Sequence, residues 1–201
     1  MISINIKSNV KDVTKWLNRV ERKQIPYATQ LAINSTAFDV MRKERADMSK
    51  HIQNPTRFTE TGVVVEKATK QNLTATVKIP DNRADYMQYA VFGGSRPPKG
   101  RANVFPRAAR LNKFGNLSKR FVSMNLAKPK IFSGQPAGRK PGIYQRMGTK
   151  RKPKLRMLAE WGGIANYQKR YPFHDIAQRE VNKVFDKNFS KGFDKAMQGA
   201  K

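Results

Sequence analysis

The chain has 201 residues, which suits one ordinary domain or one domain with a large insertion. Lys and Arg outnumber Asp and Glu by 41 to 14 and give a formal net charge of +27, whose self-repulsion favours a partner that neutralises it. The absence of Cys excludes disulfides, thiol chemistry and Cys-ligated zinc, and neither a signal peptide nor a membrane-spanning segment is predicted.

The N-terminal part predicts one strand and two helices. Three isoleucines alternate with polar residues in ISINI, 2–6, which is typical of a short strand. Apolar side chains then recur at helical spacing between residues 10 and 20. A long helix is predicted to begin at Pro26, where the missing N–H of proline costs nothing in a first turn, and to end near residue 50.

The apolar stripe of this long helix contains polar interruptions. Asn34 and Arg45 lie among its apolar residues, so we expect this face to meet something other than a dry core. The stripe consists of Leu31, Phe38, Met41 and Met48.

The next segment changes from helical to strand periodicity. In 63–68 Val63 and Val65 fall on one face, apolar and polar residues alternate over 73–79, and the intervening TKQN, 69–72, is a plausible hairpin connection. The run YMQYAVF, 86–92, predicts a third strand that ends at Gly93-Gly94.

A second long helix is predicted from Pro172 to the C-terminal end. Apolar residues recur along one face of it, and five cations recur at steps of four on the opposite face. The cations are Arg179, Lys183, Lys187, Lys191 and Lys195. We interpret them as the solvated back of the helix.

Between these ordered parts lies a segment without acidic residues. Residues 86–159 contain 18 Lys or Arg and no Asp or Glu, together with eight Gly and seven Pro. The Gly and Pro predict irregular structure. The sequence therefore predicts an α+β protein, 1–201, in which a small antiparallel sheet packs on an N-terminal and a C-terminal helix. A basic, loop-rich insertion, 93–160, lies within this single domain.

The residues offer little for catalysis. His51 and His174 are isolated and lack metal-binding spacing, and the carboxylates are scattered rather than paired. No phosphate-binding glycine motif occurs. We expect no enzyme, no metal site and no cofactor.

The basic segment is the candidate interaction site. Its cations could neutralise phosphates while its aromatic residues stack on bases, or they could reach acidic surfaces of neighbouring subunits. Sequence-specific DNA-binding motifs are lacking. The candidate contacts for DNA or another anionic partner are Arg139, Lys140, Arg146, Lys150, Arg151, Lys152, Lys154 and Arg156.

The order of the motifs resembles the tail-component family of tailed bacteriophages, which includes the minor tail protein Z of lambda-like phages. Thr61-Gly62 opens onto the strand pair, Tyr89-Ala90 with Phe92-Gly93 corresponds to a Y-A-x-x-x-x-F-G-like element, and Pro172-Phe173 opens the closing helix. The segment RLNKFGNLSKR, 110–120, is similar to the central region of the Z-like branch. The glycine pair and the basic insertion depart from the family pattern.

This resemblance implies a non-enzymatic virion protein at the head–tail junction, acting in tail completion or as a neck component. It implies a ring-forming homo-oligomer, with a hexamer as one option, that contacts other tail, neck or connector proteins. It implies no contact with a membrane and no cofactor. Contact with genomic DNA in the channel, and assembly in the host cytoplasm, would follow. The alternative is that the chain is a sequence-independent nucleic-acid-binding protein, which packages or coats nucleic acid.

Overall fold

The computed structural model describes residues 2–7, 19–149 and 151–198, with side chains from residue 24 onward in the second range. Most of the helical pattern predicted between residues 10 and 20 lies outside the described residues. The helices are α1 (Arg19–His51), α2 (Arg57–Glu60), α3 (Asp81–Phe92), α4 (Phe121–Leu126) and α5 (Phe173–Gln198). The strands are β1 (Ile2–Lys7), β2 (Val64–Glu66), β3 (Thr74–Ile79), β4 (Gly94–Arg96), β5 (Asn103–Pro106), β6 (Ile131–Gly134), β7 (Gly142–Gly148), β8 (Pro153–Gly162) and β9 (Ala165–Tyr167).

The chain divides into two compact units, which are described separately. Unit 1 comprises Met1–Phe92 and Lys169–Lys201, and unit 2 comprises Gly93–Gln168. The predicted insertion, 93–160, falls inside unit 2. The single domain over 1–201 stays a prediction.

Unit 1 has a three-stranded antiparallel sheet in the order β1-β3-β2, together with the two long helices. The predicted first strand, the hairpin and the closing helix are confirmed, as is the α+β class. Alternation along β3 buries Ala75, Val77 and Ile79 on one face. This face joins buried residues of α1, α3 and α5 in one core. The largest of them are Ile33, Val40, Met48, Met87 and Phe173.

Two predictions in unit 1 are wrong. The long helix does not begin at Pro26, because α1 is already helical at Arg19 and holds this proline in its interior. Residues 86–92 are not a strand but the end of α3, whose buried Ala84, Met87 and Val91 have helical spacing. The predicted boundary at the glycine pair is nevertheless correct. Gly93 and Gly94 have positive φ values of 74° and 109°, which stop a helix at low steric cost.

The polar interruptions of α1 hydrogen-bond to the backbone beside the sheet. The Asn34 amide donates to the Ala68 carbonyl at 3.0 Å and accepts from the Ala68 N–H at 2.7 Å. The Arg45 guanidinium donates twice to the Val63 carbonyl, at 3.0 and 2.6 Å. These side chains satisfy polar groups at both ends of β2, which is an edge strand. The expectation that this face of α1 meets more than a dry core is therefore confirmed.

Unit 2 is more regular than predicted. It contains a four-stranded antiparallel sheet in the order β5-β8-β7-β6, a two-stranded sheet of β4 and β9, and the short helix α4. The expectation of an irregular insertion is wrong in this respect, because several of its Gly and Pro residues shape hairpins. Gly148 ends β7 with a φ of +81°, and a Cβ at Gly142 would lie 2.4 Å from the Ala159 carbonyl oxygen.

The core of unit 2 is small and apolar. It lies between α4 and the four-stranded sheet, where Trp161 and Val104 pack at its margin. Its buried residues are Phe121, Ile131, Ile143, Leu158 and Ala159. This core fixes the sheet from which the basic side chains extend.

Candidate functional site

The two central strands of unit 2 extend past their neighbours. β6 pairs with β7 only over Gly142–Gln145, and β5 pairs with β8 only from Ala159 onward. Hydrogen bonds with neighbouring loop residues extend this pairing to Arg146 on β7 and to Met157 on β8. Beyond these points the described backbone of β7 and β8 pairs only within the hairpin, from Met147 opposite Lys154 to Gly148 opposite Pro153. We call residues 146–156 the basic ribbon.

The basic ribbon borders a groove of about 1010 Å³, which residues of both its faces line. Four cations line this ribbon groove: Lys130, Arg139, Arg146 and Lys154. The Arg146 guanidinium lies 4.5 Å from the centroid of the Phe132 ring, and Arg139 donates to the Leu155 carbonyl at 3.3 Å. Both contacts limit the freedom of the arginines and leave most of their N–H donors for a ligand.

A second cavity, of about 520 Å³, lies between the sheet, α4 and the segment that follows β5. Arg110, Lys128 and Arg156 line this sheet pocket. Its apolar lining includes three buried core residues, Phe121, Ile131 and Leu158, and its other polar side chains are amides and a hydroxyl. The amides and hydroxyl are Asn112, Asn125, Gln145 and Ser118. Gln145 lines both cavities, so the sheet pocket and the ribbon groove adjoin.

Unit 2 contains one carboxylate, that of Glu160. Arg107 donates to its Oε2 from Nε at 2.9 Å and from Nη2 at 2.5 Å, and Lys140 lies 3.0 Å from Oε1. Hydrogen bonds from Arg107 and then Lys140 hold the pKa of Glu160 below its usual range. Both oxygens of this carboxylate are therefore engaged, and Glu160 is the one acidic residue in the sequence of 93–168.

The structure sorts the eight predicted contact residues into different places. Arg139, Arg146 and Lys154 share the ribbon groove, and Arg156 lines the sheet pocket. Arg151 and Lys152 are exposed in the turn between β7 and β8, and Lys140 pairs with Glu160. Lys150 lies outside the described residues.

Three cations that line these cavities were not among the predicted contact residues. Arg110, Lys128 and Lys130 are distant from 138–157 in sequence, and the folding of α4 and β6 against the sheet brings them to the same surface. The only sequence signal was their membership of the acid-free segment.

Unit 1 holds a different polar feature, a buried carboxyl. The Glu44 side chain is 0 % exposed, its Oε2 accepts a hydrogen bond of 2.5 Å from the Tyr171 hydroxyl, and its Oε1 has no hydrogen-bond partner among the described residues. The pKa of Glu44 is raised to about 8, chiefly by burial and to a smaller extent by the charge of Asp47, against the opposing effect of the Tyr171 hydrogen bond. Burial also raises the pKa of Tyr171. The His51 ring lies 5.9 Å from the Tyr171 ring.

The fold and these surfaces define an α+β protein with a basic, carboxylate-poor β-ribbon. Among the described residues, no group of three or more His, Asp or Glu side chains could hold a metal ion, and no helix has the length and hydropathy to cross a bilayer. The chain matches no protein-family model, no curated protein and no solved structure.

Proposed function

We propose that the chain is a non-enzymatic structural protein of a tailed-bacteriophage virion, a tail-completion or neck component at the head–tail junction that assembles as a ring. The proposal starts from the resemblance of the motif order to the tail-component family. Its partners would be further copies of the chain and other tail, neck or connector proteins.

The observation that carries the proposal is the position of the three motifs: one lies on helix α3, and the other two lie next to this helix. The Tyr89-Ala90 motif lies on α3, and the Ala90 carbonyl accepts the N–H groups of Arg170 and Tyr171, directly before the Pro172-Phe173 motif. A Cβ at Gly62, in the first motif, would lie 2.8 Å from Cδ of Arg83, which is also on α3. Motifs that are separated in sequence thus belong to one packed arrangement, as expected when their order reflects a shared fold.

The basic ribbon supplies the interaction element of this proposal. A two-stranded extension with exposed cations suits an arm that reaches an anionic neighbour, and burial of such an arm in an assembly would recover stability that self-repulsion removes.

Two measurements test the proposed function. We expect multi-angle light scattering and negative-stain electron microscopy of the purified chain to show a closed ring, and an antibody against the chain to detect it in gradient-purified virions of the phage that encodes it. A chain that is strictly monomeric and absent from virions would refute the proposal.

The second candidate function, sequence-independent coating or packaging of nucleic acid, is favoured by one observation. The cations of the ribbon groove have no carboxylate partner within unit 2. A chain that is absent from virions and that coats DNA cooperatively would favour this function over the structural one.

A further inference from the structure

We propose that the ribbon groove and the sheet pocket form one continuous tract that binds the phosphodiester backbone of nucleic acid. This inference rests on the proposed role of the ribbon as the site of an anionic partner, and it does not depend on a location in the virion. The cations of this phosphate tract are Arg110, Lys128, Lys130, Arg139, Arg146, Lys154 and Arg156.

The tract is elongated along the strands. In the β7–β8 register, Gln145 lies opposite Arg156 and Met147 lies opposite Lys154, so these four side chains share one face of the ribbon. Arg146 lies opposite Leu155 on the other face and lines the ribbon groove from that side. A rise of about 3.3 Å per residue separates Lys154 from Arg156 by roughly 7 Å along β8. Since Gln145 joins the two cavities, cations continue from the sheet pocket into the ribbon groove. Such a row fits a polymer of negative charges better than a single compact anion.

The side-chain chemistry of the tract favours nucleic acid over an acidic protein surface. Protein–protein interfaces have apolar, aromatic-rich centres that are depleted of Lys. The polar side chains of this tract are instead Lys and Arg with amides and two hydroxyls, which is the set that contacts phosphate and sugar oxygens. No carboxylate lines either cavity, so a polyanion would meet no like charge there.

The direct test is the salt dependence of binding to a fluorescein-labelled 30-base-pair DNA duplex of mixed sequence, measured by fluorescence anisotropy. If all seven cations contact phosphates, a plot of log Kobs against log salt concentration has a slope of roughly −6. The triple variants Lys130→Ser/Arg146→Ser/Lys154→Ser and Arg110→Ser/Lys128→Ser/Arg156→Ser should each reduce the magnitude of the slope by about 3.

A matched control removes the same charge from the exposed face of α5. The variant Arg179→Ser/Lys183→Ser/Lys195→Ser should keep the wild-type slope. A charge-retaining variant, Arg110→Lys/Arg146→Lys/Arg156→Lys, should also keep it, whereas a general disturbance of unit 2 would reduce binding in that variant too. Circular dichroism and Trp161 fluorescence verify that all variants are folded.

Three outcomes would overturn the inference: a wild-type slope shallower than about −2, an equal loss of slope in the α5 control, or displacement of the duplex by poly-glutamate as efficient as by unlabelled DNA at equal charge. The last outcome would assign the tract to an acidic protein partner. Failure of the DNA test would leave ring formation and detection in virions unaffected, so the two proposals can fail separately.

Discussion

Replacement of Glu44 by Gln should remove a pH dependence from the stability of unit 1. The neutral carboxyl suits its site, because Glu44 is fully buried and only one of its oxygens has a hydrogen-bond partner among the described residues. Ionisation would place a charge there with no cation partner among the residues that the structure describes, while Asp47 one turn along α1 adds an unfavourable negative charge. The pKa is accordingly raised in the folded state from its ordinary value of 4.5 to about 8.

The sign and size of the effect follow from proton linkage. Between pH 4.5 and about 8 the folded chain keeps a proton that the unfolded chain has lost, so the free energy of unfolding falls as pH rises. The loss is about 1.4 kcal/mol per pH unit and roughly 5 kcal/mol over the whole interval. The stabilisation is complete below pH 4.5 and is lost as the pH rises through about 8. A change of this size is a large fraction of the stability of an ordinary domain.

Urea denaturation followed by circular dichroism at 222 nm is the appropriate assay, because the two long helices belong to unit 1. Glu44→Gln should flatten the dependence between pH 5 and 8.5. It should be less stable than the wild type at pH 5, where its amide leaves a buried donor unpaired, and more stable at pH 8.5. Tyr171→Phe is the control, since it removes the hydroxyl but retains the buried acid and therefore the dependence. Equal pH dependence in the wild type and Glu44→Gln would refute the reasoning.

Three further predictions concern packing and charge. Asn34→Ala should lower the free energy of unfolding by about 1–3 kcal/mol, measured by urea titration, because the buried Ala68 N–H loses its acceptor. Gly192→Ala should lower the melting temperature, because its Cβ would lie 2.7 Å from the Ala28 carbonyl oxygen. Such overpacking costs about 1–3 kcal/mol, which outweighs a gain of up to roughly 1 kcal/mol in helix propensity. An increase in NaCl concentration should raise the urea midpoint of unit 2, measured by Trp161 fluorescence with the other tryptophan replaced by Phe, since salt screens repulsion among its cations. An unchanged or lower midpoint would contradict this last prediction.

The sequence predicted β3 and α5 of unit 1 well because apolar residues recur at regular spacing along them. The error at 86–92 arose because the run is short enough to fit a strand as well as the last turns of a helix. The start signal lies upstream, where the Pro80 carbonyl accepts the N–H groups of Arg83 and Ala84. A window that included Ala84 would have shown the helical spacing that ends at Val91.

The sequence analysis did not predict the sheet of unit 2, because charged residues obscure the two-residue period of the apolar residues in its strands. Apolar residues recur at every second position of β8, at Leu155, Met157, Ala159 and Trp161. The cations Lys154 and Arg156 beside Leu155 suggested a solvated loop instead. Gly and Pro were interpreted as breakers of structure, although Gly148 and Pro153 only mark the ends of one hairpin. The convergence of Arg110, Lys128 and Lys130 with the ribbon depends on tertiary packing, which no local pattern encodes.

The distribution of charge between the units connects stability with the proposed partner. Unit 1 carries 23 Lys or Arg and 13 carboxylates, so cations and anions can pair within it, whereas unit 2 carries 18 and one. A need for solubility alone would not place the larger share of the net positive charge in the smaller unit. Because a ligand that binds only the folded state stabilises it by mass action, a polyanion on the phosphate tract would raise the stability of unit 2 and leave that of an isolated unit 1 unchanged. The same repulsion that weakens unit 2 when it is alone therefore makes its folded state responsive to the partner that it binds.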